Sequence, residues 1–183
     1  MDKRKIRILL VVTLAILSLS PLSARSNNVA VGFQAGFAAT GFVVDVGLGP
    51  LYLNAGLNYP LGYSYIAANT DPSEAFPKLA TVTLDVSTAF PLSDSFDLKL
   101  GFGGIALTDF GPSFGGLAGP VIKGEYWIPN KNYGLFLNIN VPILLFGVLV
   151  GDYDEENTAA VLFSPLLPLL GLLTTTVGVL YSF

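Results

Sequence analysis

The sequence predicts an all-β fold, an eight-stranded antiparallel up-and-down transmembrane β-barrel with short periplasmic turns and longer external loops. Three observations predict it. From Val29 onward apolar residues alternate with small or polar ones at period two, the pattern of strands whose two faces meet different surroundings. The chain is 52% hydrophobic and only 12% charged, with a mean hydropathy of +0.63, too apolar for a 183-residue domain bathed in water on all sides. The alternating segments number eight, and the connections between them are short and long in turn.

In chain order, Lys3, Arg4, Lys5 and Arg7 come first, followed by the apolar run ILLVVTLAILSL over residues 8–19 and the small-residue stretch SPLSARS. Ala24 and Ser26 are spaced for cleavage after Ser26, so residues 1–26 are read as a cleaved signal peptide and 27–183 as the barrel. A run of twelve apolar residues falls short of the ~20 that a spanning helix needs. The leader takes five of the nine basic residues and one of the thirteen acids, leaving four lysines against twelve carboxylates, a net charge of −8. That balance excludes nucleic-acid binding, which needs a basic surface. The chain has no cysteine and no histidine, which removes disulfides, thiolate chemistry, imidazole metal sites and His-dependent catalysis. No enzymatic activity and no cofactor are therefore expected.

The strand-like segments lie at about 29–37, 40–49, 51–62, 80–91, 95–107, 117–128, 133–147 and 162–183. In the second, Phe42, Val44, Val46 and Leu48 oppose Val43, Asp45 and Gly47. In the third, Leu51, Leu53, Leu57 and Tyr59 oppose Tyr52, Asn54, Gly56 and Asn58. The fourth sets Val82, Leu84 and Val86 against Thr81, Thr83 and Asp85; the fifth sets Phe96, Leu98, Leu100 and Phe102 against Asp97, Lys99, Gly101 and Gly103. Tight turns carrying Pro or Asx residues fall near Pro50, at 91–95 and at 129–132. The longer connections 63–79, 108–116 and 148–161 carry Asp71, Glu74, Asp109, Asp152, Asp154, Glu155 and Glu156. A water-soluble barrel has the same alternation, but the apolar set here exceeds what an eight-stranded lumen holds, so it is read as facing outward.

On that reading Asp45, Asp85, Asp97, Lys99, Lys123 and Glu125 face inward and form a salt-bridged polar plug, with inward glycines making room beside Tyr52, Trp127 and Phe136. The upper parts of segments seven and eight, VPILLFGVLV and VLFSPLLPLLGLL, are apolar on both faces. Inward Leu144, Phe146, Leu166, Leu170 and Leu172 would form an apolar cup above the plug. Pro142, Pro165 and Pro168 cannot donate to a ladder, so pairing between these two segments is expected to weaken there. The acidic loop GDYDEEN at 151–157 lacks the ordered ligand spacing of a calcium loop, and no metal is assigned to it.

The ending carries a further signal. Thr176, Gly178, Tyr181 and Phe183 follow the spacing polar-x-Gly-x-x-aromatic-x-aromatic. This resembles the carboxyl-terminal β-signal that bacterial outer-membrane proteins present to the barrel assembly machinery. Gly178, Tyr181 and Phe183 are its marked residues, and the last strand is expected to pair with the first. Across the barrel region, the apolar cup, polar floor and weakened wall resemble the OmpW and AlkL type of small barrel within the OmpW, OmpX and OmpA-like superfamily. That resemblance implies a monomer in the outer-membrane bilayer that passes small hydrophobic solutes sideways into the lipid. An OmpX or OmpA-type barrel with a structural or adhesive role is the alternative.

Overall fold

The computed structural model describes residues 25, 28–70, 79–110, 114–149, 158–163 and 167–183. The expected leader, residues 1–26, falls outside them except for Arg25, as do the acidic loop 151–157 and Leu166. The strands are β1 (Val29–Gly36), β2 (Thr40–Leu48), β3 (Leu51–Tyr59), β4 (Ala80–Ser93), β5 (Phe96–Thr108), β6 (Phe114–Trp127), β7 (Tyr133–Asn140), β8 (Leu144–Leu149), β9 (Thr158–Phe163) and β10 (Thr176–Ser182). Helix α1 (Leu61–Thr70) follows β3, and a 3-10 turn (Leu167–Leu170) running into a helical turn (Gly171–Thr174) precedes β10.

Neighbours along the chain pair antiparallel from β1 to β7, β10 pairs with both β7 and β1, and β5–β6 pairing completes the ring. This is a closed eight-stranded barrel built from β1–β7 and β10, with β8 and β9 forming a hairpin attached to the upper part of β6. Closure leaves the ring with no unpaired edge. The β2–β3 turn shows how the short connections work. Leu48 faces Leu51 across two residues, Gly49 takes φ +67 where a side chain would be strained, and Pro50 fixes the next φ.

Side-chain alternation follows the expected faces through β1–β6. The outward set, including Phe33, Phe42, Leu57, Leu84, Phe102, Ile122, Leu135 and Val179, is exposed, with Phe42 at 74% and Leu57 at 61%. Inside lie Gln34, Asp45, Asn54, Asn58, Thr81, Asp85, Asp97, Lys99, Lys123 and Glu125, all buried. An apolar mantle around a polar lumen inverts the arrangement of a water-soluble barrel.

Segments seven and eight depart from the sequence reading. β7 pairs with β6 up to Val121↔Asn140, and pairing resumes above Pro142 at Ala118↔Leu144. Between those points β6 advances three residues and the opposite chain four, so one extra residue is inserted and the alternation inverts. Leu144 and Phe146, expected to face inward, therefore lie on the outer face, where Phe146 meets Phe114 edge-on at 6.4 Å between ring centroids. Leu145, opposite the inward Leu117, takes the lumenal place. The segment expected as one strand over 162–183 is broken instead: residues 167–174 are helical, and only β10 continues in the ring. Pro168, with its fixed φ and missing N–H, sits in the 3-10 turn, a conformation that tolerates both better than a ladder does. Leu172, expected in the cup, is 84% exposed on the helical turn.

Helix α1 also stands where a loop was expected. Its apolar residues Tyr63, Tyr65 and Ile66 follow no 3.6-residue stripe, so the helical period is invisible in the sequence. Pro60 starts it: its carbonyl accepts the first helical bond from the Ser64 N–H at 3.0 Å.

Candidate ligand site: an apolar cavity above a charged floor

The lumen is stratified along its axis. Nearest the tight turns lies a charged floor built by β2, β5 and β6, whose inward positions bring Asp45, Lys99, Lys123 and Glu125 together. Lys99 Nζ donates to Asp45 at 3.1 and 3.2 Å and to Glu125 Oε1 at 2.8 Å. Lys123 Nζ donates to Asp45 Oδ2 at 3.0 Å and lies 2.8 Å from Glu125 Oε1. Asn54 adds an amide donor to Asp45 at 3.3 Å. Lys99 also sits 3.9 Å from the centre of the Tyr52 ring and Lys123 4.7 Å from that of Phe136, so aromatic faces supply part of their solvation. Lys99 and Glu125 are 0% exposed, and pairing of this quality is what makes their burial tolerable.

Asp97, fully buried, faces Glu125 in the β5–β6 register. Asp85 lies higher, on a small cavity of about 20 Å³ shared with Thr83, Asn138, Asn140 and Thr176, about the room one water needs. Beside it a polar layer closes the lumen: Gln34 Nε2 donates to Asn58 Oδ1 at 2.9 Å and to Thr83 Oγ1 at 3.3 Å, and Thr176 Oγ1 donates to Gln34 Oε1 at 3.4 Å.

Above the polar layer the lining changes. A cavity of about 400 Å³, almost wholly apolar, is bounded by Phe37 and Ala38 of the β1–β2 turn, Pro60 and Tyr63, Ile105 and Leu107, Leu117, Leu145, and Leu170 and Leu173 of the helical turn. Of the five expected cup residues, Leu170 lines it, Leu144 and Phe146 face outward, Leu172 is exposed and Leu166 lies outside the described residues. Sequence reasoning missed Leu145 because parity was carried unchanged through Pro142. It missed Tyr63 because α1 has no stripe.

The wall beside this cavity is interrupted. β9 pairs with β8, and among the described residues no ladder joins β9 to β1. The helical turn stands at that position, held by the Ala38 N–H donating to Leu173 O at 3.2 Å and by Thr174 Oγ1 donating to Asn140 O at 3.3 Å. Among the described residues, fewer hydrogen bonds join this element to its neighbours than join the ladder strands to theirs.

Of the residues expected to mark an assembly signal, Tyr181 and Phe183 lie at the other end, and Gly178 stands opposite Gln34 of the polar layer. Tyr181 packs between Tyr133 and Phe183, with centroids 5.1 and 5.2 Å apart, and the Phe183 N–H donates to Val29 O at 3.2 Å. Gly178 faces the lumen, where an added Cβ would come 2.5 Å from the Phe136 ring and 2.4 Å from Phe33 O. No helix among the described residues is long and apolar enough to cross a membrane, which says nothing of a β-barrel. No protein-family model matches the chain, and comparison with curated proteins and with solved structures finds no match, so the geometry of the barrel carries the functional reading.

Proposed function

We propose that this protein is an integral outer-membrane barrel that takes small hydrophobic molecules from the external side into its apolar cavity and releases them sideways into the bilayer. The mantle of exposed Phe, Leu and Val around a polar lumen supports a lipid setting, since closed barrels are one of only two ways to span hydrocarbon. One observation carries the transport reading: the 400 Å³ apolar cavity lies where the wall lacks a ladder and above a floor of side chains that are 0–1% exposed. An apolar solute that enters from the loop end meets paired charges below and a lightly held wall beside it. The route matches the one implied by the OmpW and AlkL resemblance, and the β-signal at Gly178, Tyr181 and Phe183 supports delivery by the barrel assembly machinery.

The test is uptake of a small apolar fluorophore into proteoliposomes of the folded barrel, with ion conductance recorded on the same sample. Faster uptake than in protein-free liposomes, without a large ionic current, is the expected result. Uptake at the protein-free rate would favour the structural or adhesive OmpX and OmpA type.

A further inference from the structure

We infer that the leader is removed upstream of Arg25, at the Ala24–Arg25 bond, and that Arg25 is the first residue of the mature barrel and the stopper of its turn-end mouth. The inference rests on the export reading and is independent of solute passage.

Arg25, which the A-x-S spacing assigns to the leader, is built into the floor. It is 6% exposed. Its Nη1 donates to Asp45 Oδ1 at 2.6 Å, its Nη2 donates to the Asn28 carbonyl, and its guanidinium lies 5.1 Å from the centre of the Tyr52 ring. The Asn28 carbonyl also accepts from the Gly47 N–H at 2.6 Å, so Arg25 and β2 share the same acceptor.

The receiving site is shaped for a guanidinium. A Cβ at Gly47 would stand 3.2 Å from Arg25 Nη2 and 3.2 Å from the Tyr52 ring, so glycine there leaves the gap that the stacked group fills. A planar fork that pairs with a carboxylate at its edge and stacks on an aromatic face is an arginine role that lysine does not reproduce.

Charge points the same way. Asp45, Asp85, Asp97 and Glu125 are buried in the lumen with Lys99 and Lys123; Arg25 raises the buried cations to three against four carboxylates. A cut after Ser26 discards that third cation from a site where uncompensated charge is costly. A cut at this bond has the small Ala24 immediately before it and Leu22 at the upstream recognition position, where the cut after Ser26 has Ala24. The mature chain then keeps five basic residues against twelve acids, a net charge of −7.

The experiment expresses the full precursor, extracts the barrel from outer membranes, and determines intact mass and the amino-terminal residue. A start at Arg25 is expected. A start at Asn27 overturns the inference alone. A chain that begins at Met1 overturns the cleaved-leader reading with it, whereas an Arg25 start without fluorophore uptake overturns only the transport proposal. The stopper role is read from Arg25→Ala in the same precursor, whose ion leak in proteoliposomes should rise above that of the parent barrel. An equal leak from a folded variant overturns that role.

Discussion

Replacing Asp45 with Asn tests how the floor is held. The Asp45 carboxylate takes Arg25 at 2.6 Å, Lys99 at 3.1 and 3.2 Å, Lys123 at 3.0 Å and Asn54 at 3.3 Å. Asparagine keeps the shape and removes the charge. Lys99 and Lys123 would retain Glu125, each at 2.8 Å, while Arg25 would retain the Asn28 carbonyl. Removing one partner of a buried ion pair costs about 3–5 kcal/mol, and the surviving Glu125 contacts place the expected loss near the lower figure. With a urea dependence of ~2 kcal/mol per molar, the unfolding midpoint should fall by about 1.5 M. Trp127, the single tryptophan and buried beside the floor, reports the transition by fluorescence in lipid vesicles. In the cycle with Lys99→Met, the double variant should recover at least ~1 kcal/mol relative to additivity, because the lysine no longer lacks its carboxylate. A midpoint unchanged by Asp45→Asn, or a strictly additive cycle, would refute the account of Asp45 as the hub.

Adjacent leucines separate the two faces of β8. Leu145→Asp should weaken retention of an apolar probe by about tenfold or more, roughly 1.4 kcal/mol, while Leu144→Asp should leave retention intact and lower barrel insertion instead; equal effects on retention would restore the uninverted register. Gly178→Val should strongly reduce the folded, heat-modifiable fraction in refolding without assembly factors, because its Cβ meets Phe33 O and the Phe136 ring. Phe183→Ser should fold normally in that purified assay and lose assembled barrel only in cells, and a parallel loss in both would assign the residue to folding rather than recognition. A cysteine pair at Ala38 and Leu173, introduced into a chain with no other thiol, should stop fluorophore uptake when oxidised and release it on reduction. Unchanged uptake in the fully cross-linked protein would move the exit elsewhere.

The ring was legible because period two survives wherever one face is apolar and the other polar. In β5, Asp97, Lys99, Gly101 and Gly103 mark one face so plainly that register follows from the pattern, and the floor residues fell inward as expected. Legibility failed where both faces are apolar. Around Pro142 nothing in the residue types distinguishes an inward leucine from an outward one, so a single inserted residue exchanged Leu144 for Leu145 without leaving a trace in composition. The turn at 167–174 was hidden for the same reason, since a leucine-rich run reads equally as buried strand or helix. The Arg25–Asp45 contact was hidden for a different reason: a long-range ion pair leaves no local mark in the sequence.

The stratified lumen constrains where an apolar guest can go. An eight-stranded ring is narrow enough for its own side chains to fill, and here Tyr52, Trp127 and Phe136 pack beside the ion pairs. For a hydrocarbon to pass through the floor, Lys99 and Lys123 would have to leave both carboxylates at once, exposing several buried charges to an apolar surface. Moving the helical turn aside breaks the Ala38–Leu173 and Thr174–Asn140 hydrogen bonds, each worth about 1 kcal/mol net, and keeps the guest in apolar surroundings throughout. On the proposed function, the paired floor and the wall beside the cavity are complementary parts of one device: the first would block the axial path and hold the barrel closed to ions, and the second would leave the lateral path as the cheaper exit.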